Sequence, residues 1–316
     1  MTSLVAGAAG FIGSHLCERL LAEGRDVIGV DNLATGRQAN LGTAMEHPGF
    51  RFLHHDVTMP LPDLGPIDEV FHLASPASPA DFATMPLEIL DVGSNGTRNL
   101  LEVTEQHGAR FLLASTSEIY GDPLVHPQPE SYWGNVDSIG PRSCYDEAKR
   151  FAEALTSAHR RHLGADTVII RIFNTYGPRM RPGDGRVLVT FIAQALRGEP
   201  ITVYGDGSQT RSFCYVDDEV GGIVAAMRSG EEGPFNIGNP AEITMLELAG
   251  EVVRLTGSAS QIVTVPLPDE RTGDPARRKP DITLARTRLG WEPTVPLETG
   301  LVAMIAEVSR ELGVHG

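Results

Sequence analysis

Cysteine is scarce in this chain of 316 residues: Cys17, Cys144 and Cys214 are the full set, widely spaced and odd in number. They offer neither the close pairs of a zinc site nor the even framework of a disulfide-stapled domain, so reduced structural thiols are expected and no metal site. Positive charge is short as well, with 26 Lys and Arg against 41 Asp and Glu and a formal net charge of −15. Binding a phosphate backbone needs clustered cations, so this balance argues against a nucleic-acid partner. Basic residues that matter must act locally, a few arginines converging on a small anion. Long apolar runs are missing too. None approaches the ~20 residues of a membrane span, and a first strand starting at Ser3 or Leu4 leaves no room for a signal peptide. A cytoplasmic protein with no membrane partner is expected.

At 41% hydrophobic, the chain can build one large α/β domain, or a large domain with a smaller appendage. The opening "SLVAGAAGFIGSHLCERLLAEGRDVIGVDN" reads as strand, glycine-rich turn, amphipathic helix and second strand. Gly7, Gly10 and Gly13 let the turn pass close to a pyrophosphate, to which the helix start offers unpaired N–H groups and a partial positive charge. Three glycines alone would equally make a tight turn; the strand–turn–helix setting and Asp31 strengthen the cofactor reading. Asp31 ends the second strand, where a carboxylate accepts hydrogen bonds from an adenosine ribose and repels a 2′-phosphate. That favours NAD over NADP, while Arg37 pulls the other way.

The runs "RFLHHD", "EVFHLA" and "RFLLAS" read as further strands, with a helix in "LEILDVGSNGTRNLLEVTEQHG". This alternation predicts an α/β fold with a Rossmann-type doubly wound parallel sheet over residues 1–171, joined by a strand and helix from about 210–240. Residues 172–316 are expected to form mainly a smaller C-terminal lobe. Ligands of such sheets lie beyond the strand C-termini, where Asp56, Leu73, Ala74, Ser75 and Ser115 to Glu118 fall. A carboxylate at a buried strand end is expensive unless something uses it.

"SCYDEAKRFAEALTSAHRRH" has helical periodicity, with Ser143 as its cap, and places Tyr145 and Lys149 on one face. An ammonium beside a phenol favours phenolate, so Tyr145 is expected to titrate below the usual value of about 10 and to act as a base. Lys149 can also bind ribose hydroxyls. An exposed helix face gives this spacing by chance, but after a dinucleotide fold and a polar strand end the pair becomes specific.

With this glycine spacing, the "YDEAK" pair and a hydroxyl residue on the preceding strand, the chain resembles the extended short-chain dehydrogenase/reductase family. The second half resembles its nucleotide-sugar branch. Within that branch "HLASPASP", "STSEIYGDP", "HPQPESYWGNV", "IGPRSCYDEAKR", "RIFNTYGPRM" and "RRKPDI" are most similar to UDP-glucuronate decarboxylases, and the likeness spans nearly the whole chain. It implies NAD held by Gly7, Gly10, Phe11, Ile12, Gly13, Asp31, Asn32, Gly36, Asp56, Val57, Leu73, Ala74, Ser75, Tyr145, Lys149, Thr175 and Arg186. It implies a UDP-sugar partner, UDP-glucuronate, held in the C-terminal lobe and strand-end region by Pro76, Ser117, Glu118, Tyr145, Asn174, Arg186, Val187, Tyr204, Gln209, Arg211, Arg271 and Arg278. Arg211 and Arg271 would clamp the diphosphate. Arg278 can pair bidentately with a sugar carboxylate, and a neutral hexose would leave that charge unpaired.

The implied reaction is NAD-dependent decarboxylation of UDP-glucuronate to UDP-xylose through a 4-ketone, with NAD recycled. Tyr145 is then the base, Lys149 its tuner, and Thr116 and Ser117 donors to the C4 oxygen or the sugar. Glu118 either orients the ring or organises a water that protonates C5, and Tyr120 shapes the site. The alternative is a UDP-glucuronate 4-epimerase, forming UDP-galacturonate; such enzymes usually lack a Glu at the position of Glu118. Dehydratases carry an Asp where Ser117 stands, which disfavours elimination. An NAD-binding sensor has no reason to keep Tyr145, Lys149 and Glu118 together. The chain departs from the family pattern at Gly93, often Asn, at "NVDSIG" and in a longer "DERTGDP"; the first two are expected to leave the chemistry untouched. The helices around Gly96 to Gln106 and around Tyr145 are long enough to build a homodimer interface.

Overall fold

The computed structural model describes residues 1–181, 183, 185–266 and 277–314. Its first half runs β1 (Thr2–Ala6), α1 (Phe11–Ala22), β2 (Asp26–Asp31), α2 (Gly42–Met45), β3 (Phe50–His54), β4 (Glu69–His72), α3 (Pro79–Thr84), α4 (Pro86–Asp91), α5 (Thr97–His107), β5 (Arg110–Thr116), α6 (Ser143–Leu163) and β6 (Thr167–Ile172). The second runs β7 (Thr175–Tyr176), α7 (Val187–Leu196), β8 (Ile201–Tyr204), β9 (Thr210–Ser212), β10 (Cys214–Tyr215), α8 (Val216–Arg228), β11 (Phe235–Ile237), β12 (Glu242–Thr244), α9 (Met245–Thr256), β13 (Ile262–Val265), β14 (Arg277–Arg278) and α10 (Leu297–Leu312).

Seven strands form one sheet in the order β11-β6-β5-β4-β1-β2-β3, with every neighbouring pair parallel. The central strands read as near-continuous apolar runs because both sheet faces are covered. On one face Leu16 and Leu20 of α1 and Val220 and Ile223 of α8 pack with Val5, Phe71 and Leu112. On the other, Leu100 and Leu101 of α5 and Ala152 of α6 pack with Leu4, Phe111 and Leu113. From β1 the chain goes to β2 and β3 on one side and to β4, β5 and β6 on the other. The strand order therefore reverses beside β1, and a crevice opens at the strand C-termini there.

The smaller lobe has its own core, in which Leu188 and Ile192 of α7 meet Leu248 and Val252 of α9 and Leu301 and Met304 of α10. Its central strand β9 pairs antiparallel with β12 and parallel with β14, the latter aligning Arg278 with Arg211. Two arginines far apart in sequence thus become register neighbours.

One local expectation needs correction. Ser143 is the first residue of α6, and Arg142 holds the cap position with no side-chain capping bond. Gly93 lies in a π turn, Val92–Gly96, that interrupts the helix between α4 and α5, and a Cβ there would come within 2.7 Å of the Ala148 Cβ. Glycine lets this turn press directly on α6 beside Lys149. Among the described residues, no helix is long and apolar enough to cross a membrane.

Candidate active site

The cofactor cradle is built by close approach of backbone. Gly7 turns with φ +84°, and a Cβ on it would stand 2.8 Å from backbone atoms of Leu73 and Ala74. A Cβ on Gly13 would stand 2.0 Å from the Gly7 carbonyl oxygen. The turn therefore lies flat on the end of β4, and α1 starts directly above it. No side chain caps α1, and no acidic residue occupies its first turn. Its free N–H groups and partial positive charge are thus left for an anion. Asp31 is held in place, Oδ2 accepting from the Ala9 N–H at 2.9 Å and Oδ1 from the Leu33 N–H at 2.8 Å. Burial raises its carboxyl above the ordinary range, against those two bonds.

Asp31, Asn32, Gly36, Asp56, Val57 and Ala74 line a chamber of about 180 Å³. Gly7, Gly10, Leu73 and Ser75 line both this chamber and an adjoining cavity of about 850 Å³, which Phe11, Ile12 and Gly13 also face. These residues fit an adenosine diphosphate: a cradle that any Cβ would fill, and a fixed carboxylate beyond it. Pro76, expected against the sugar, lies in the small chamber instead, because the chain leaves β4 on that side. Arg37, the residue pulling towards NADP, is paired with Glu311 of α10 at 2.9 Å.

The large cavity holds the catalytic candidates. β5 ends at Thr116, whose Oγ1 accepts from the Glu118 N–H at 3.2 Å, and Ser117–Tyr120 form a single 3₁₀ turn. Gly121 then reverses the chain at φ +63°, where a Cβ would meet the Asn135 carbonyl oxygen at 2.0 Å. This turn sends Glu118 into the cavity and Tyr120 away from it. The Tyr120 hydroxyl donates to Asn236 Oδ1 at 2.8 Å and accepts from Arg171 at 2.9 Å, fully buried.

Tyr145 and Thr116 line the cavity with Ser117 and Lys149, and the Thr116 hydroxyl acts to lower the phenol. The Lys149 Nζ lies 5.9 Å from the Tyr145 ring centroid and donates to the Ala114 carbonyl at 2.9 Å. The expected acidic shift of the phenol is not what this geometry gives. Burial pushes Tyr145 up to about 12, and Thr116 only partly opposes it. Burial also brings Lys149 down to about 8, so the ammonium is itself strained by the dry site.

Arg278 and Arg142 grip Glu118 from two sides. Arg142 Nη2 stands 2.5 Å from Glu118 Oε2, and Arg278 Nη1 bonds Oε1. Burial alone would raise Glu118, but Arg278 and Arg142 outweigh it and hold the carboxyl below its usual range. Arg278 is 3% exposed and also donates from Nη2 to the Gly121 carbonyl at 2.9 Å. Its charge is therefore already paired, which corrects the expectation that only an acidic sugar could satisfy it. Its Nε has no partner among the described residues, leaving a buried donor to offer.

From the smaller lobe, Asn174, Thr175, Arg186, Val187, Tyr204, Gln209 and Arg211 all face the same cavity. Arg271 lies outside the described residues. Arg186 donates to the Ala77 carbonyl at 3.1 Å, and Arg181 pairs with Asp81 at 2.5 Å, so the second half is tied to the loop after β4 and to α3. Sequence reading missed Arg142 and Phe82, which line the cavity beside Tyr145. For Arg142 a signal existed in its place three residues before the base; for Phe82 there was none.

A glycine cradle, a fixed carboxylate beyond it and a Tyr–Lys pair at one sheet edge define a nucleotide-dependent enzyme of the short-chain dehydrogenase/reductase class. Residues 3–238 match the NAD dependent epimerase/dehydratase family, and the chain belongs to it. It is 52% identical over its whole length to UDP-glucuronic acid decarboxylase 5 of Arabidopsis thaliana, covering 91% of that protein. It is 50% identical over 98% of its length to UDP-glucuronic acid decarboxylase 1 of Danio rerio, covering 73% of that protein. Among solved structures it is similar to UDP-glucuronic acid 4-epimerase from Bacillus cereus in complex with UDP-glucuronic acid and NAD. That match has a TM-score of 0.85 and 30% identity, over 98% of this chain and 100% of that one.

Proposed function

We propose that this protein decarboxylates UDP-glucuronate to UDP-xylose and CO₂ and leaves its NAD unchanged overall. The observation that carries the reading is the Arg278–Glu118 pair facing the Tyr145 phenol across one cavity, in a chain that matches decarboxylases end to end. NAD, when bound, supplies a cationic hydride acceptor at C4 of the sugar and later the hydride donor.

Tyr145 takes the proton of the C4 hydroxyl, and Thr116, which faces the same cavity, holds the same oxygen as it becomes a carbonyl. The C5 carboxylate is then β to a ketone, so CO₂ can leave with its electron pair passing into an enolate. Arg278 offers its unpartnered Nε to the departing carboxylate and orients it. C5 gains a proton, and Tyr145 returns its own to the C4 oxygen as the ketone is reduced. Glu118 orients the ring or organises the water that protonates C5, while Arg211 and Arg186 meet the diphosphate. Burial raises the Tyr145 phenol to about 12, and a cationic nicotinamide beside it would lower it and favour its action as a base.

The assay is UDP-glucuronate added to purified protein without added NAD, with products followed by mass. CO₂ loss and a pentose product support the reading; an isomer of unchanged mass marks a 4-epimerase, and no turnover marks a protein that only binds. Wild-type CO₂ release by Glu118→Gln would remove Glu118 from the mechanism.

The same reading includes a homodimer joined through α5 and α6, supported by the exposed side chain of Phe151 on α6. A monomer mass in light scattering at micromolar concentration would contradict it. It also includes a cytoplasmic setting, supported by three free, buried cysteines and tested by cell fractionation.

A further inference from the structure

We propose that Arg142 is a positioning residue of this active site: it pins the Glu118 carboxylate and, through the ring of Phe82, the plane of the Tyr145 phenol. The inference rests on the decarboxylase reading for its catalytic consequences, although the geometry is independent of it.

The contacts form a chain. Arg142 reaches Glu118 at 2.5 Å with one nitrogen, and its guanidinium carbon lies 5.4 Å from the centroid of Phe82. The Phe82 ring stacks on the Tyr145 ring, centroids 4.9 Å apart and planes 20° from parallel. Thr116, which lowers the Tyr145 phenol, accepts the Glu118 N–H. Three elements distant in sequence meet here: the turn after β5, α3 and the start of α6. The Phe82 bridge ties the face of the phenol to the carboxylate end of the site.

A planar guanidinium suits this task, because it can fork towards a carboxylate while its face lies over a ring. A lysine would keep the charge and lose the second contact. Stacking restricts how the phenol can tilt, and the reaction needs the hydroxyl aimed at one carbon while the sugar carboxylate sits a fixed distance away.

The charges that face Glu118 come from every side: Arg278 on β14, Arg211 on β9, Arg142 before α6, and Tyr145 and Asp146 on α6. Asp146 is buried and pushed up to about 7, first by desolvation and then by Glu118, so it adds little negative charge below neutrality. With Arg142 removed, burial is opposed by fewer cations and Glu118 should titrate higher, by about one pH unit or more.

The experiment compares wild type, Arg142→Gln, Arg142→Lys and Phe82→Leu as NAD-loaded enzymes, measuring CO₂ release from UDP-glucuronate against pH. Arg142→Gln should move the acidic limb of kcat upwards by about one pH unit or more. It should also lower the plateau by about tenfold or more, with KM little changed. Arg142→Lys should restore the limb without the plateau, and Phe82→Leu should lose the plateau while keeping the limb. In parallel, the Glu118 carboxyl is titrated by carbon NMR in ligand-free wild type and Arg142→Lys, Arg142→Gln or both, whichever fold. A wild type that releases no CO₂ defeats the decarboxylase reading alone, since the NMR arm still tests the clamp. An unmoved Glu118 titration in Arg142→Gln, or a wild-type plateau in Phe82→Leu, overturns the proposal.

Discussion

Replacing Lys149 with Met should make the protein more stable while ending turnover. The Lys149 amine is buried, and desolvation brings it from 10.5 down to about 8. A group whose folded value is depressed in this way, for a base, destabilises the fold wherever the unfolded chain carries the proton more readily. The penalty is fully present below pH 8 and is relieved as pH rises from about 8 towards 10.5. Its size at pH 7 is about 3 kcal/mol, at roughly 1.4 kcal/mol per pH unit. Against this, Met forfeits the hydrogen bond to the Ala114 carbonyl, worth about 1 kcal/mol. Met keeps the unbranched chain that fills the space. The net gain is about 2 kcal/mol at pH 7, which urea unfolding of cofactor-stripped protein resolves as a higher midpoint at unchanged slope. At pH 10 the wild type has shed most of its penalty, so the advantage should fall to about zero or reverse. An advantage that does not change with pH would refute the electrostatic cause, and a Lys149→Met protein less stable at pH 7 would refute the reasoning altogether.

Gly13→Ala puts a Cβ 2.0 Å from the Gly7 carbonyl oxygen; the purified protein should lose its NAD and unfold at lower denaturant, by an overpacking cost of about 1–3 kcal/mol. Glu219 is fully buried, with Oε1 unpartnered and Oε2 bonded to Thr175 at 3.1 Å, and desolvation raises it well above the usual carboxyl range. Its raised value adds stability below about pH 4 that is lost as pH rises. Glu219→Gln should therefore unfold at higher urea than wild type at pH 8, with the difference closing at pH 5; no pH trend would show that Glu219 is not the neutral acid inferred here.

What the sequence makes legible is local chemistry with a fixed spacing. The turn Gly7–Gly13, the bounds of β2 and the placement of Tyr145 and Lys149 on one helix all follow from near neighbours, and the structure has β2 at Asp26–Asp31. What stays hidden depends on approach in space. Arg278 and Glu118 are separated by 160 positions and meet only because β14 joins β9 in the smaller lobe. The sign of the Tyr145 shift was misread for the same reason: spacing shows that a lysine is near, and burial decides how much its charge counts. The contact of Gly93 with Ala148 is hidden likewise, because its partner lies on another helix.

The electrostatics of the site suggest why the fold keeps such costly groups together. Tyr145 holds its proton, Lys149 is pressed to release one, and Glu118 stays charged only because arginines surround it. Each group is displaced from its ordinary state by burial, and each displacement is reduced by a charge of the opposite sign brought close. A positive charge brought beside Tyr145 would lower the phenol towards a usable base, while the same charge would press Lys149 further towards releasing its proton, so the two members of the pair respond to one charge in complementary directions.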